Sequence, residues 1–186
     1  MKIGEIKKAL EPLLDDAFES ENMLIKNKDS QFIRRIYIRS VFAYIEGSIW
    51  VLKQVCLKAK SVKGKNRKIN IPEFAILTEQ TYDLQNNSNI KVKTKIINLL
   101  DSIQFTFKTI NKLFKGEIDY GIGGSSWNKL IKAKNIRNRI THPKTESDMI
   151  VSDEEIVICE EVCEWFNALV NSCFNLFLES GKQADK

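Results

Sequence analysis

Apolar residues recur along most of this chain at three- and four-residue steps, and two-residue alternation is weak, so the pattern predicts helices throughout. Residues 3–18 place Ile3, Ile6, Leu10, Leu13, Leu14 and Phe18 on one side, as expected of an amphipathic N-terminal cover. A polar stretch, Lys26-Asn27-Lys28-Asp29, precedes a long helix expected from about residue 30 to about residue 60, with Asp29 or Ser30 as N-cap. Phe32, Ile36, Val41, Phe42, Ile45, Ile49, Leu52 and Cys56 make that helix apolar almost all round, which predicts a central, heavily buried element.

The run from Lys58 to Lys68 has no acidic residue and reads as a basic loop, after which Pro72 is placed to open a short helix. Leu84 to Asn89 reads as a second loop. A helix over about residues 93–114 follows, its stripe made by Ile96, Ile97, Leu100, Ile103, Phe107, Ile110 and Leu113, with Gly116 placed to stop it. Tyr120-Gly121-Ile122-Gly123-Gly124 forms a connector, and Ser125 or Ser126 is the expected cap of the next helix. That helix should end at His142, because a residue before proline is biased away from helical dihedrals. Ser152 and Glu155 form a capping box ahead of Ile156, Cys159, Cys163, Phe166, Val170, Cys173 and Phe177, a stripe suited to an antiparallel bundle or a dimer seam. Gly181 is the expected stop, with residues 183–186 fraying beyond it. The fold class expected is all-α, in a single domain over residues 1–186.

Composition narrows the function classes. At 186 residues the chain can bury one full core, and 43% hydrophobic with 28% charged residues is ordinary for a globular protein. The formal net charge of +5 tilts the surface modestly toward polyanions. No apolar run is long enough to span a bilayer, and the first residues lead into a charged amphipathic stretch instead of a signal peptide, so a cytoplasmic protein without membrane attachment is expected. Cys56, Cys159, Cys163 and Cys173 fall in apolar helical stretches and read as small buried hydrophobes. Cys159 and Cys163 lie one turn apart, but no histidine or CxxC pair accompanies them, so neither a metal nor another cofactor is expected.

Candidate chemistry centres on the only histidine. His142 lies in Arg137-Asn138-Arg139-Ile140-Thr141-His142-Pro143, at the end of a basic helix. Residues four apart share a helix face, so Asn138 and His142 can point together while the long Arg137 side chain swings toward them. Imidazole can take a proton from a ribose 2′-hydroxyl or give one to a leaving 5′-oxygen, and guanidinium can stabilise charge on a phosphorane. Neither role needs a metal.

Arg137-Asn138 followed by His142 after three further positions resembles the signature of the HEPN superfamily: arginine, a polar residue, then histidine with four to six positions intervening. The order of elements is similar across about residues 30–180, from a long apolar helix with mid-helix acidic and glycine residues to a closing helix after the motif. The resemblance implies an HEPN-like antiparallel four-helix bundle with additional short helices. It implies a homodimer in which two motifs face one cleft, acting as a metal-independent endoribonuclease that leaves 2′,3′-cyclic phosphate ends. It also implies RNA as substrate, and a toxin–antitoxin or phage-defence setting with an antitoxin or defence partner. A chain with one histidine can supply separate acid and base only through a second copy. Some HEPN toxins carry a tyrosine two residues after the histidine as a target of nucleotidylation; Lys144 stands there in this chain.

Charge placement extends the picture. Lys129, Lys132, Lys134, Arg137, Arg139 and Lys144 occur with no acidic residue between Lys129 and Lys144, so Lys132, Lys134, Arg139 and Lys144 are candidate phosphate contacts. Lys58 to Lys68 and the Lys91, Lys93, Lys95 group could extend that surface or form ordinary solvated faces. Glu46, in an apolar turn, needs a partner. Pairing with Arg39 on its own helix costs least ordering and is expected; orienting Arg137 would make it a supporting site residue. Trp50, Trp127 and Trp165 are expected in packing. Competing readings are a non-catalytic HEPN-like module that binds RNA or nucleotide or scaffolds a complex, and a structural helical protein whose partner docks on an apolar face.

Overall fold

A computed structural model describes residues 3–59 and 69–182, the side chains of residues 3–7 and 182 excepted. The elements run α1 (Ile3–Lys26), α2 (Gln31–Ala59), α3 (Ile71–Leu77), β1 (Gln80–Leu84), β2 (Ile90–Thr94), α4 (Leu99–Phe114), α5 (Ser125–Thr141), a 3-10 helix (Glu146–Met149) and α6 (Asp153–Lys182). The protein is mostly helical, as expected, with one two-stranded hairpin among the described residues. The residues group into two compact units, one from Ile49 to Glu117 and one combining the described residues up to Ser48 with those from Ile118 onward. The division falls inside α2, so no linker composition marks it.

In the unit that carries the motif, α1 buries Leu10, Ala17, Ser20 and Leu24. This three-to-four-residue spacing continues past residue 18, which is why the helix runs on to Lys26. Phe18, expected on the inner stripe, is 46% exposed. Phe32 on α2 is likewise turned outward, while Tyr37, Ile38, Val41, Phe42, Tyr44 and Ile45 are buried. A Cβ added at Gly47 would sit 2.3 Å from Leu13 Cδ1, so the absence of a side chain lets α1 approach α2. α5 buries Trp127, Leu130, Ala133, Ile136 and Ile140, and its N-cap is Gly124 in place of the expected serines. α6 opens with the predicted box: Ser152 N–H donates to Glu155 Oε2 at 3.1 Å and Glu155 N–H to Ser152 Oγ at 3.3 Å. Its stripe of Ile156, Cys159, Phe166, Val170, Cys173 and Phe177 is buried within the chain, and α6 continues through Gly181. Trp165 meets Trp127 edge to face at 6.4 Å, joining α6 to α5. Tyr44 does the same with Phe166 at 5.9 Å and donates its hydroxyl to Asn167 Oδ1 at 3.0 Å.

In the other unit, α3 is held by a capping box between Asn70 and Glu73, and Lys112 of α4 pairs with Glu73 at 2.6 Å. α4 starts at Leu99, capped by Asn98, not near residue 93. It ends at Lys115, which takes the left-handed φ of 55°, with Gly116 N–H bonded to Asn111 O at 3.0 Å. The residues expected to begin that helix instead form β2, which pairs antiparallel with β1, and the second loop is the hairpin turn. Thr81-Tyr82-Asp83-Leu84 and Ile90-Lys91-Val92-Lys93 alternate with a period of two around a turn containing Asn86 and Asn87, a signal shorter than the helical stripe that follows it. Ile96, expected in the α4 stripe, is 95% exposed. Trp50 is also exposed, against the packing role expected for it. Of the basic run from Lys58, only Lys58 and Ala59 are described, in the last turn of α2; residues 60–68 lie outside the described residues, as do residues 183–186.

Candidate functional site

Arg137, Asn138 and His142 occupy the last turns of α5, but their side chains part company. Arg137 turns toward α2: its Nη2 lies 2.5 Å from Glu46 Oε1, and its guanidinium carbon is 5.0 Å from the centre of the Phe42 ring. Its Nε is buried without a hydrogen-bond partner among the described residues. The arginine is thus held by one carboxylate and one aromatic face, with donor capacity left over. Glu46 takes the cross-helix partner, not Arg39; Arg39 instead donates to the carbonyl of Ile140 at 3.0 Å. A guanidinium suits that place, because the last carbonyls of a helix lack intrahelical donors and carry the negative end of its dipole.

His142 closes α5 as predicted, at φ −126° and ψ 60°, and its N–H bonds to Asn138 O at 2.9 Å. Both Asn138 and His142 are exposed, and no hydrogen bond joins either side chain to Arg137. Immediately after it the chain is tightly constrained. Asp148 accepts the N–H groups of Lys144 and Thr145 at 2.8 and 2.9 Å, and these bonds hold its carboxyl below the usual aspartate range. Arg139 donates to the carbonyls of Asp148 and Ile150 at 2.9 and 2.7 Å and meets both oxygens of Glu155 at 2.7 Å.

A second set of basic residues, which the sequence reading passed over, grips the same segment from α2. Arg34 donates to Lys28 O and Val151 O at 2.7 and 2.8 Å and pairs with Asp153. Arg35 reaches Met149 O at 2.9 Å, and Gln31 exchanges two bonds with Val151, at 3.0 and 2.8 Å. The sequence carries a signal for it: Arg34, Arg35 and Arg39 cluster in the first turns of a largely apolar helix.

The stretch that is free of acid in sequence is therefore not so in space. Glu161, Glu46 and Glu155 neutralise Lys129, Arg137 and Arg139, the first at 2.8 Å. Arg139, expected to contact substrate, is a clamp of the backbone. Lys132 and Lys144 are exposed and Lys134 is half-buried, and among the described residues no carboxylate pairs with these three. Elsewhere in this unit burial pushes the Cys159 thiol up to about 12 and that of Cys163 to about 11, which keeps both protonated and unreactive. Among the described residues, no three His, Cys, Asp or Glu side chains are placed to hold a metal ion, and no helix is long and apolar enough to cross a membrane.

Compared with protein-family models, curated proteins and solved structures, the chain matches none. Class and role therefore rest on the residues themselves.

Proposed function

We propose that the protein is a metal-independent endoribonuclease of HEPN type, acting as a homodimer whose two motifs share one cleft, with α1, α2, α5 and α6 as the four-helix bundle. His142 of one copy takes the 2′-hydroxyl proton; the 2′-oxygen attacks phosphorus, and the bond to the 5′-oxygen breaks. His142 of the second copy protonates that oxygen, leaving a 2′,3′-cyclic phosphate and a 5′-hydroxyl. Arg137 stabilises the phosphorane, Asn138 orients the phosphate, and Lys132, Lys134 and Lys144 draw the backbone in. Glu46 is a positioning residue. The setting is a toxin–antitoxin or phage-defence system with RNA as substrate.

The observation that carries this reading is the Arg137 arrangement: an arginine stacked on Phe42, gripped by Glu46 and left with a buried unpaired Nε, five residues before an exposed histidine at a rigidly held helix end. A buried donor without a partner calls for an explanation, and an anionic ligand bound beside it would supply one. The second reading, a non-catalytic HEPN-like module that binds RNA or nucleotide or scaffolds a complex, is favoured by the same Glu46, which neutralises the cation that cleavage would need.

The two are separated by incubating the protein and its His142→Ala variant with single-stranded and structured RNA in excess chelator and characterising the product ends. Cyclic phosphate ends, formed by the parent and lost in the variant, support the nuclease. Binding by both without cleavage overturns it in favour of the module.

A further inference from the structure

The hairpin presents a surface that the proposed nuclease does not use. Gln80↔Thr94, Tyr82↔Val92 and Leu84↔Ile90 are paired across the strands, so these side chains share one face. That face is apolar and open: Tyr82 is 47%, Leu84 76%, Ile90 69% and Val92 53% exposed. A two-stranded sheet with an uncovered apolar face gains from an added strand or a covering element.

The ladder shows which edge can receive one. Lys95 N–H bonds to Glu79 O at 2.7 Å and Gln85 N–H to Asn89 O at 2.8 Å, so hydrogen-bonded pairs alternate as 79/95, 81/93, 83/91 and 85/89. Ile90, Val92 and Thr94 belong to the other set. Their N–H and C=O groups point away from β1, and no other described backbone group bonds to them. Every residue of β2 is exposed, whereas Gln80, Thr81 and Asp83 of β1 are half-buried. The outer edge of β2 is therefore an unpaired row of backbone donors and acceptors flanked by apolar side chains.

Charge selects the occupant. Lys91, Lys93 and Lys95 follow one another on the opposite face, and among the described residues Lys93 alone of the three has a carboxylate partner, Asp83. A second copy pairing β2 with β2 antiparallel about Val92 would set Lys91 against Lys93, a like-charge arrangement that disfavours self-association. A phosphate backbone would meet the lysines but leave the amide row and the Ile90 and Val92 side chains unused. We propose that the β2 edge is a docking site for an extended segment of a partner protein in which acidic and apolar residues alternate. The segment adds as a third strand, its apolar side chains beside Ile90 and Val92 and its carboxylates beside Lys91 and Lys95.

The test uses an acetylated, amidated peptide alternating glutamate with valine, titrated into the whole protein while backbone amide resonances are followed. Saturable shifts at Ile90, Val92 and Thr94, with new exchange protection there, are expected; a peptide with lysine in place of glutamate should leave them unmoved. Val92→Pro removes one outward N–H and no bond to β1, so it should weaken binding about tenfold or more while the hairpin pairing survives. If that variant loses the hairpin, a peptide N-methylated on the residues facing β2 gives the same test against the unaltered protein. The proposal falls if the glutamate peptide does not bind at millimolar concentration, or binds Val92→Pro equally. It also falls if the parent self-associates through β2 without peptide, or if an oligoribonucleotide produces the same shifts in parent and Val92→Pro alike.

Discussion

Arg137 and Arg139 stand two positions apart on one helix and do opposite work. Arg139 joins the end of α5 to the backbone of the 3-10 segment and to α6 through charge-assisted bonds, so Arg139→Ala takes the guanidinium donor from the Asp148 and Ile150 carbonyls and the cationic partner from Glu155. A loss of about 2 kcal/mol is expected in urea unfolding, with Arg139→Lys recovering little because an ammonium cannot reproduce the planar fork. Asp148 gives a pH signature in the same turn. Its carboxyl titrates below the ordinary range because the ionised form accepts the Lys144 and Thr145 amides, so the stabilisation is present at neutral pH and is lost as pH falls through the folded-state value. Exchange protection of those two amides should therefore drop in acid below the usual aspartate range, and Asp148→Asn should remove the pH dependence. Protection that ignores pH would place their restraint elsewhere.

At the scale of elements, α6 combines a legible start with a charge conflict that is only half local, Glu164 lying one turn from Glu160 and Glu21 on another helix. Glu160 is pushed up by partial burial first and then by Glu21 and Glu164, so the fold favours its neutral form and its charge is a cost at neutral pH. That cost fades as pH falls through the raised value. Glu160→Gln should accordingly raise the melting temperature by about 1–2 °C at pH 7, with the gain shrinking toward acid pH. A lower melting temperature at pH 7 would contradict this. The helices carrying these residues were legible because their stripes repeat over many turns. The hairpin was not, since its alternation lasts only five residues a strand and abuts a strong helical stripe. Helical spacing puts Phe18, Phe32 and Trp50 inward, but all three are exposed, since a large apolar residue at the margin of a buried stripe is ordinarily left outside.

At the scale of the molecule, the predicted seam of α6 is already closed by the chain's own residues, so it is not available as a dimer interface. The proposed composite site still requires a second copy. Sedimentation at micromolar concentration should give twice the monomer mass, and a monomer that retained cleavage would remove the two-copy mechanism while leaving His142 in question. The candidate site itself was legible only in part: Arg137, Asn138 and His142 could be singled out, but not which way each points. Helix positions, the Ser152–Glu155 cap and the placement of His142 at a helix end were determined by the sequence itself, because periodicity, capping and the restriction before proline act within a few residues. The choice of Arg137 over Arg39 as the partner of Glu46, the conversion of Arg139 from a phosphate contact into a backbone clamp, and the exposure of the β2 edge were decided only by tertiary structure. Glu46 and Arg137 are 91 positions apart, and an ion pair forms between whichever groups packing brings within reach.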